Sequence, residues 1–308
     1  MAARTGAIPL PDAEANPSAA GNWTVVSSRR RRRSRGGGRG EDAGDSSRPS
    51  PSEAPNEALA PLPWSPADRD EDPARISKLL QKLRSAMARL EASTFYRRFL
   101  SQLRDEPKIR DNLLKISPPP EKILIVLYGV GSIESYVPPR LQLSLALLLQ
   151  QEIGSSAAAV EVFDPVLTAA ECAAMEALGC SVARIDDRGR RRADRPTLFY
   201  MPHCEAALYD NLLAANWGHP SSLGRMVVLG NSFSEYGRFA EEALGGRGSA
   251  HATERARYVL RARDFVEEIS VASNMGLDEG NDSLFRAFNE TSWHFFHPDQ
   301  SELQKSES

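Results

Sequence analysis

The chain is poor in the features that would commit it to a class at once. Only three of its 308 residues are cysteine, Cys172, Cys180 and Cys204. An odd number without a framework spacing excludes a disulfide scaffold and points to a reducing compartment. No apolar run approaches the ~20 residues of a membrane span; stretches such as LSLALLL at 143–149 are far shorter. The first residues, MAARTGAIPLPDAEANPSAAG, lack a continuous apolar stretch, which argues against a secretory signal. The sequons at Asn22-Trp23-Thr24 and Asn289-Glu290-Thr291 are then without use. The net charge of −3 sets up no global field towards nucleic acid. Five histidines and three cysteines show no paired zinc spacing, so neither His203 with Cys204 nor His294 with His297 is expected to hold a metal. No G-K-[ST] follows the glycines, which excludes a Walker phosphate loop. The expectation is a soluble cytoplasmic protein without a membrane partner, present in the nucleus as well if its arginine run serves import.

What is present divides into four parts. Residues 1–72 are rich in Pro, Ser, Ala, Gly and charge and read as a disordered tail. Within it Arg29, Arg30, Arg31, Arg32 and Arg33 form a basic run suited to an import receptor or to loose RNA contact, against the alternative of a solvated tail. Ser27, Ser28, Ser34, Ser46 and Ser47 are candidate phosphosites that would offset this charge. Residues 73–118 read as an amphipathic helix and linker: Ile76, Leu79, Leu80, Leu83, Met87 and Leu90 recur at helical spacing, with a break near Ser93-Thr94. Packing on the next domain is favoured over a membrane or calmodulin partner. Residues 119–298 form the main domain, and 299–308 a polar C-terminal tail.

The main domain alternates. Strands are expected at 122–129, 158–165, 180–186, 195–204, 224–233 and 267–272, with helices at 138–154, 168–179, 205–218 and 252–269 and a closing element at 282–296. Thr168 and Glu171 give the helix at 168–179 a capping box. Apolar strands separated by helices imply an α/β fold: a Rossmann-like, mostly parallel sheet covered by helices on both faces. The run 184–195, RIDDRGRRRADR, reads as a solvated loop.

In such sheets ligands bind outside the carboxyl ends of the strands. Gly129, Gly131 and Ser132 lie at the end of the first strand, and Asp164 at the end of the second, where an acid would meet a ribose hydroxyl. Glu134 stands where the dinucleotide fingerprint wants a third glycine, and its carboxylate disfavours a pyrophosphate. A nucleoside such as that of S-adenosylmethionine fits better; a purely structural turn is the alternative. His203 and Asn231 end later strands and should share this rim, as a candidate base or ligand and a candidate substrate contact; the alternative for His203 is a helix cap. Adjacent His203 and Cys204 should point to opposite faces, which argues against a nucleophile–base pair.

GVGS, VFDPVLTAAE, PTLFYMPHCEAALYDNLL, VVLGNSFSEY and FNETSWHFF together resemble the SRR-like family, named for the plant mutant "sensitivity to red light reduced". The resemblance covers about 121–296. It implies an intracellular regulator of circadian clock gene expression, and thus of biological rhythms, and of haem biosynthesis. Its partners would be proteins of those pathways, and the family carries no agreed enzymatic reaction. The positions it marks are Gly129, Gly131, Ser132, Asp164, Pro165, His203, Cys204, Asn231 and Ser232. A haem link raises haem as a ligand, but no cysteine here precedes a proline; His203 remains the one candidate axial ligand, less favoured than a nucleoside site.

Overall fold

The computed structural model describes residues 60–153, 157–243, 256–271 and 282–298. Arg29–Arg33, the candidate phosphosites and the tail at 299–308 lie outside these residues. In chain order the elements are β1 (Leu62–Pro63), α1 (Pro73–Glu91), α2 (Thr94–Asp105), α3 (Pro107–Ile116), β2 (Ile123–Tyr128), α4 (Val137–Ile153), β3 (Ala157–Phe163), α5 (Ala169–Glu176), β4 (Cys180–Val182), β5 (Ile185–Asp186), β6 (Thr197–Met201), α6 (Ala206–Trp217), α7 (Pro220–Leu223), β7 (Met226–Asn231), α8 (Phe233–Ala243), α9 (Arg257–Ala262), β8 (Val266–Ser270), α10 (Asp282–Phe288) and β9 (Thr291–Phe296).

Seven strands form one sheet in the order β4-β3-β2-β6-β7-β9-β8. The first five are parallel, and β9 runs antiparallel to both neighbours. The order reverses between β2 and β6, so the ligand crevice of this fold lies between their carboxyl ends. Both faces of the sheet are apolar, as a doubly covered sheet requires. Ile123, Ile125 and Leu127 join the core beneath α1, α4, α5 and α10, while Leu124, Val126 and Tyr128 join the core beneath α6 and α9. The expected α/β sheet is therefore present.

The break near Ser93-Thr94 is present and separates α1 from α2, where Ser93 caps α2 by accepting the Tyr96 N–H at 3.0 Å. Several local expectations change. A third helix, α3, follows at once, with Pro107 at its first position and Glu106 as its cap. The strand expected at 180–186 is two short strands, and the second leaves the sheet to pair with β1. Helix α9 ends at Ala262, and strand β8 begins four residues later; the start of the expected 252–269 helix lies outside the described residues. The closing element at 282–296 is a helix and then a strand, and that strand wedges between β7 and β8.

Residues 60–72, assigned by composition to the tail, form a strap over the main domain. Trp64 N–H donates to the Arg184 carbonyl at 2.8 Å, and Ala169 N–H at the start of α5 donates to the Asp68 carbonyl at 2.9 Å. The loop at 184–195, expected to be solvated, is held down at Arg191, which forms a two-point ion pair with Glu161 in β3 at 2.5 and 2.8 Å.

Candidate functional site

The glycine loop leaves β2 through two residues in the left-handed region, Gly129 (φ 67°) and Gly131 (φ 72°), a conformation other residues adopt only under strain. Asp164 follows β3 and is 7% exposed. Its Oδ2 accepts the Gly131 N–H at 2.7 Å, and its Oδ1 accepts the Val166 N–H at 2.9 Å. Burial pushes its carboxyl above the ordinary range, the hydrogen bonds from these two amides pull it down, and the charge of Glu171 pushes it up. Each oxygen keeps a second lone pair.

A second carboxylate holds the other half of the loop. Glu171, fully buried, accepts from Ser132 Oγ at 2.7 Å and from Glu134 N–H at 2.9 Å. Its other oxygen accepts from Thr168 N–H and Oγ1, completing the expected capping box. Two acids thus sit where the loop amides of a phosphate cradle would hold an anion. Glu134 itself turns outward to Arg75, whose Nη2 lies 2.6 Å from its carboxylate. That hydrogen bond lowers the Glu134 pKa.

Across the crevice, β6 ends in Met201-Pro202-His203-Cys204. His203 has a φ of 54°, which turns its N–H onto Asn231 Oδ1 at 2.8 Å. The Asn231 amide also donates to the Cys204 carbonyl at 3.2 Å and to Tyr236 Oη at 2.9 Å. Tyr209 Oη donates to the Met201 carbonyl and accepts the Asn231 N–H. Burial lowers the His203 pKa, and hydrogen bonds to the backbone of Ala287 and Arg286 oppose that. Ser232 caps α8, its Oγ accepting the Glu235 N–H at 3.2 Å. The Cys204 thiol is buried against Gly129, and burial holds it far above the ordinary thiol range.

The structure therefore brings Gly129, Gly131, Ser132, Asp164, His203 and Asn231 to one rim. It also shows what sequence reading missed: Glu171, Tyr209 and Tyr236 behind the rim, and Trp64 and Arg75 beside it. Glu171 was visible only as a capping residue. Trp64 had a signal, being an aromatic between prolines in an otherwise aromatic-poor segment. Among the described residues, no group of three or more His, Cys, Asp or Glu is placed to hold a metal ion. No helix among them is long and apolar enough to cross a membrane.

The strand-end segments of the rim, from Gly129 to Asn231, fall inside one family match: the SRR1 domain model covers residues 107–295. The chain belongs to the SRR1 domain family. Over 234 residues it is 39% identical to the Arabidopsis thaliana protein SENSITIVITY TO RED LIGHT REDUCED 1, covering 76% of this chain and 80% of that one. It is 30% identical to an SRR1-like protein of Mus musculus, covering 73% of this chain and 88% of the relative. A Drosophila melanogaster SRR1-like protein matches over 72 residues at 38% identity. The SRR1 match begins at α3, so the strap and α1, which complete one side of the rim, lie outside it.

Proposed function

We propose that this SRR1-family chain is an intracellular regulator that works by binding partners, in control of clock gene expression and of haem biosynthesis. The observation that carries this reading is how the rim uses its polar groups. Asp164, Glu171 and Asn231 each hold two or more backbone groups of the rim loops, which makes a rigid platform. Around it Tyr136 and Val166 stand 65% and 59% exposed, apolar surface of the kind partners cover. The name of the Arabidopsis relative ties it to red-light sensitivity, which fits a signalling role. Arg29–Arg33 would supply the import signal or an RNA contact. The test is rescue of a clock reporter in cells lacking the protein. Wild type should restore rhythm and normal haem-pathway transcripts, and a folded Tyr136→Ala/Val166→Glu variant should not. Full rescue by that variant would count against the rim as the working surface.

A second reading is favoured by the sheet. An antiparallel strand placed next to the edge of a parallel sheet, after a strand–GxG–helix–strand–acid unit, is also the plan of S-adenosylmethionine-dependent methyltransferases. On this reading Gly129, Gly131, Ser132 and Asp164 face a nucleoside, with His203 and Asn231 towards a substrate. It is an analogy of fold, which does not by itself carry function. Native mass spectra of the full chain with S-adenosylmethionine, NAD and haem test it; a mass shift with the first alone supports it, and no shift with any of them counts against it.

A further inference from the structure

The strap at 60–72 crosses the rim at the place where a nucleoside base would lie. In this fold the acid after the second parallel strand marks the ribose, and the base lies beyond it, over the end of that strand. Here that strand is β3, the acid is Asp164, and the residues flanking the acid are Phe163 and Pro165. Trp64 covers both. Its ring meets the Phe163 ring edge-on, with centroids 5.4 Å apart and planes at 78°. Its Nε1–H points at the Pro165 carbonyl at 3.4 Å. Tyr128 closes the floor, edge-on to Phe163 at 6.4 Å, with its hydroxyl donating to Asp187 at 2.6 Å.

We infer that Trp64 occupies the base subsite of the strand-end site, and that the subsite accepts an unphosphorylated purine nucleoside when the strap lifts. The inference rests on the nucleoside reading of the site. An indole is a fused five- and six-membered aromatic bicycle, as a purine is, and the backbone carbonyl that its N–H meets would accept instead from the exocyclic amino group of adenosine. Charge sets the rest of the ligand. Asp164 and Glu171 already fill the anion positions of the glycine loop, and Glu134 adds a third carboxylate beside it, so a phosphate would be repelled.

The strap is built to come off. Its pairing with β5 involves only Leu62 with Asp186 and Pro63 with Ile185. Two further backbone bonds, Trp64 to Arg184 and Ala169 to Asp68, and an ionic tie hold it: Arg75 binds Asp68 at 2.9 Å and Asp70 at 3.4 Å on the strap side, and Glu134 of the glycine loop on the other. Partly exposed pairs of this kind are weak and screened by salt. Short, thinly packed segments open at a small fraction of the global unfolding free energy. The same guanidinium therefore links the strap to the loop it guards.

The test uses the full chain, adenosine as probe and adenosine monophosphate as its phosphorylated control. Calorimetric titration of wild type and Trp64→Ala is paired with hydrogen exchange across residues 62–72. Apparent affinity falls with the fraction of open protein, so a strap open about a tenth of the time hides affinity about tenfold. Trp64→Ala should then bind adenosine about tenfold more tightly than wild type, adenosine should speed exchange across the strap in wild type, and the monophosphate should bind more weakly than adenosine in both. Equal affinities with unchanged strap exchange would place the base elsewhere and leave the nucleoside reading standing. No binding to either protein, with the strap shown open in the variant, would overturn the subsite and the nucleoside reading together. Equal binding of the monophosphate would overturn the assignment of an unphosphorylated ligand. If Trp64→Ala does not fold, Arg75→Ala takes its place: it leaves the indole intact, should speed strap exchange, and should tighten adenosine binding in the same direction; unchanged affinity with a freed strap would refute the inference.

Discussion

The thiol of Cys204 fills the space that Gly129 leaves by having no side chain: a Cβ at position 129 would lie 2.5 Å from Sγ. The first glycine of the loop is therefore required twice, by its positive φ and by the close approach of a residue from the turn that follows the neighbouring strand β6. Gly129→Ala should destabilise the protein by about 3 kcal/mol, combining left-handed strain with overpacking. Cys204→Ala in the same chain removes only the overpacking. A double-mutant cycle by urea denaturation should show the pair less destabilised than the sum of the single changes; strict additivity would mean the two residues do not press on each other.

Asn231 ties β7 to the end of β6 through its side chain. Asn231→Ala removes the acceptor of the His203 N–H and leaves the Cys204 carbonyl with Tyr236 Oη as its remaining donor, at a cost of about 1–3 kcal/mol. Asn231→Asp keeps the acceptor for His203 but replaces the donor to Cys204 and Tyr236 with a second acceptor, so it should not restore stability at neutral pH. Thermal unfolding of the two variants decides this; recovery in the aspartate variant would show that only the His203 contact matters.

His294 lies fully buried in β9, with Nδ1 3.3 Å from the Val228 carbonyl and Nε2 3.9 Å from Glu268. Burial lowers its pKa to about 4, against the pull of Glu268. The unfolded imidazole titrates near 6.5, so between these values the unfolded chain binds more protons. This contribution to stability is fully present above pH 6.5 and is lost as pH falls towards 4, by up to about 1.4 kcal/mol per pH unit. His294→Gln should flatten the stability profile across that window. An unchanged slope would mean that acid sensitivity resides in other groups, of which His203, also lowered by burial, is the next to examine.

Arg191 and Glu161 pair with side chains about a quarter exposed. Arg191→Ala leaves the carboxylate in β3 without its partner and should cost about 2 kcal/mol, between the values for exposed and buried pairs. Arg191→Met combined with Glu161→Leu should recover most of that loss, since no charge is then left alone. The comparison is made by chemical denaturation at low and high salt; a double variant less stable than Arg191→Ala would show that the pair contributes more than its desolvation costs.

Much of this architecture can be read from local pattern. Ile123–Tyr128 is apolar on both faces, which announces a doubly covered strand, and Thr168 with Glu171 announces a helix start. What could not be read is non-local. Glu134 looked only like an obstacle to phosphate, because its partner Arg75 lies on α1, in a segment outside the glycine-loop unit. Asp164 was placed correctly at a strand end, but its two amide partners depend on how the loop after β2 folds back. Residues 62–64 sit in a stretch whose composition is that of a tail, and their order comes from the surface they cover. The basic run at 184–195 gave no sign that Arg191 would find Glu161 in the sheet, because charge alone does not say which arginine faces inward.

The position of β9 has a consequence for how the molecule is made. It follows every other strand of the sheet in sequence, yet it lies between β7 and β8. Until residues 291–296 have been synthesised, β7 and β8 have no common partner, and the open edge of β7 is a row of unpaired backbone groups of the kind that recruits other chains. Five parallel strands can assemble as the chain emerges, but the sheet closes only with its final strand. The nascent protein therefore passes through a stage in which that edge is open to pairing with other chains.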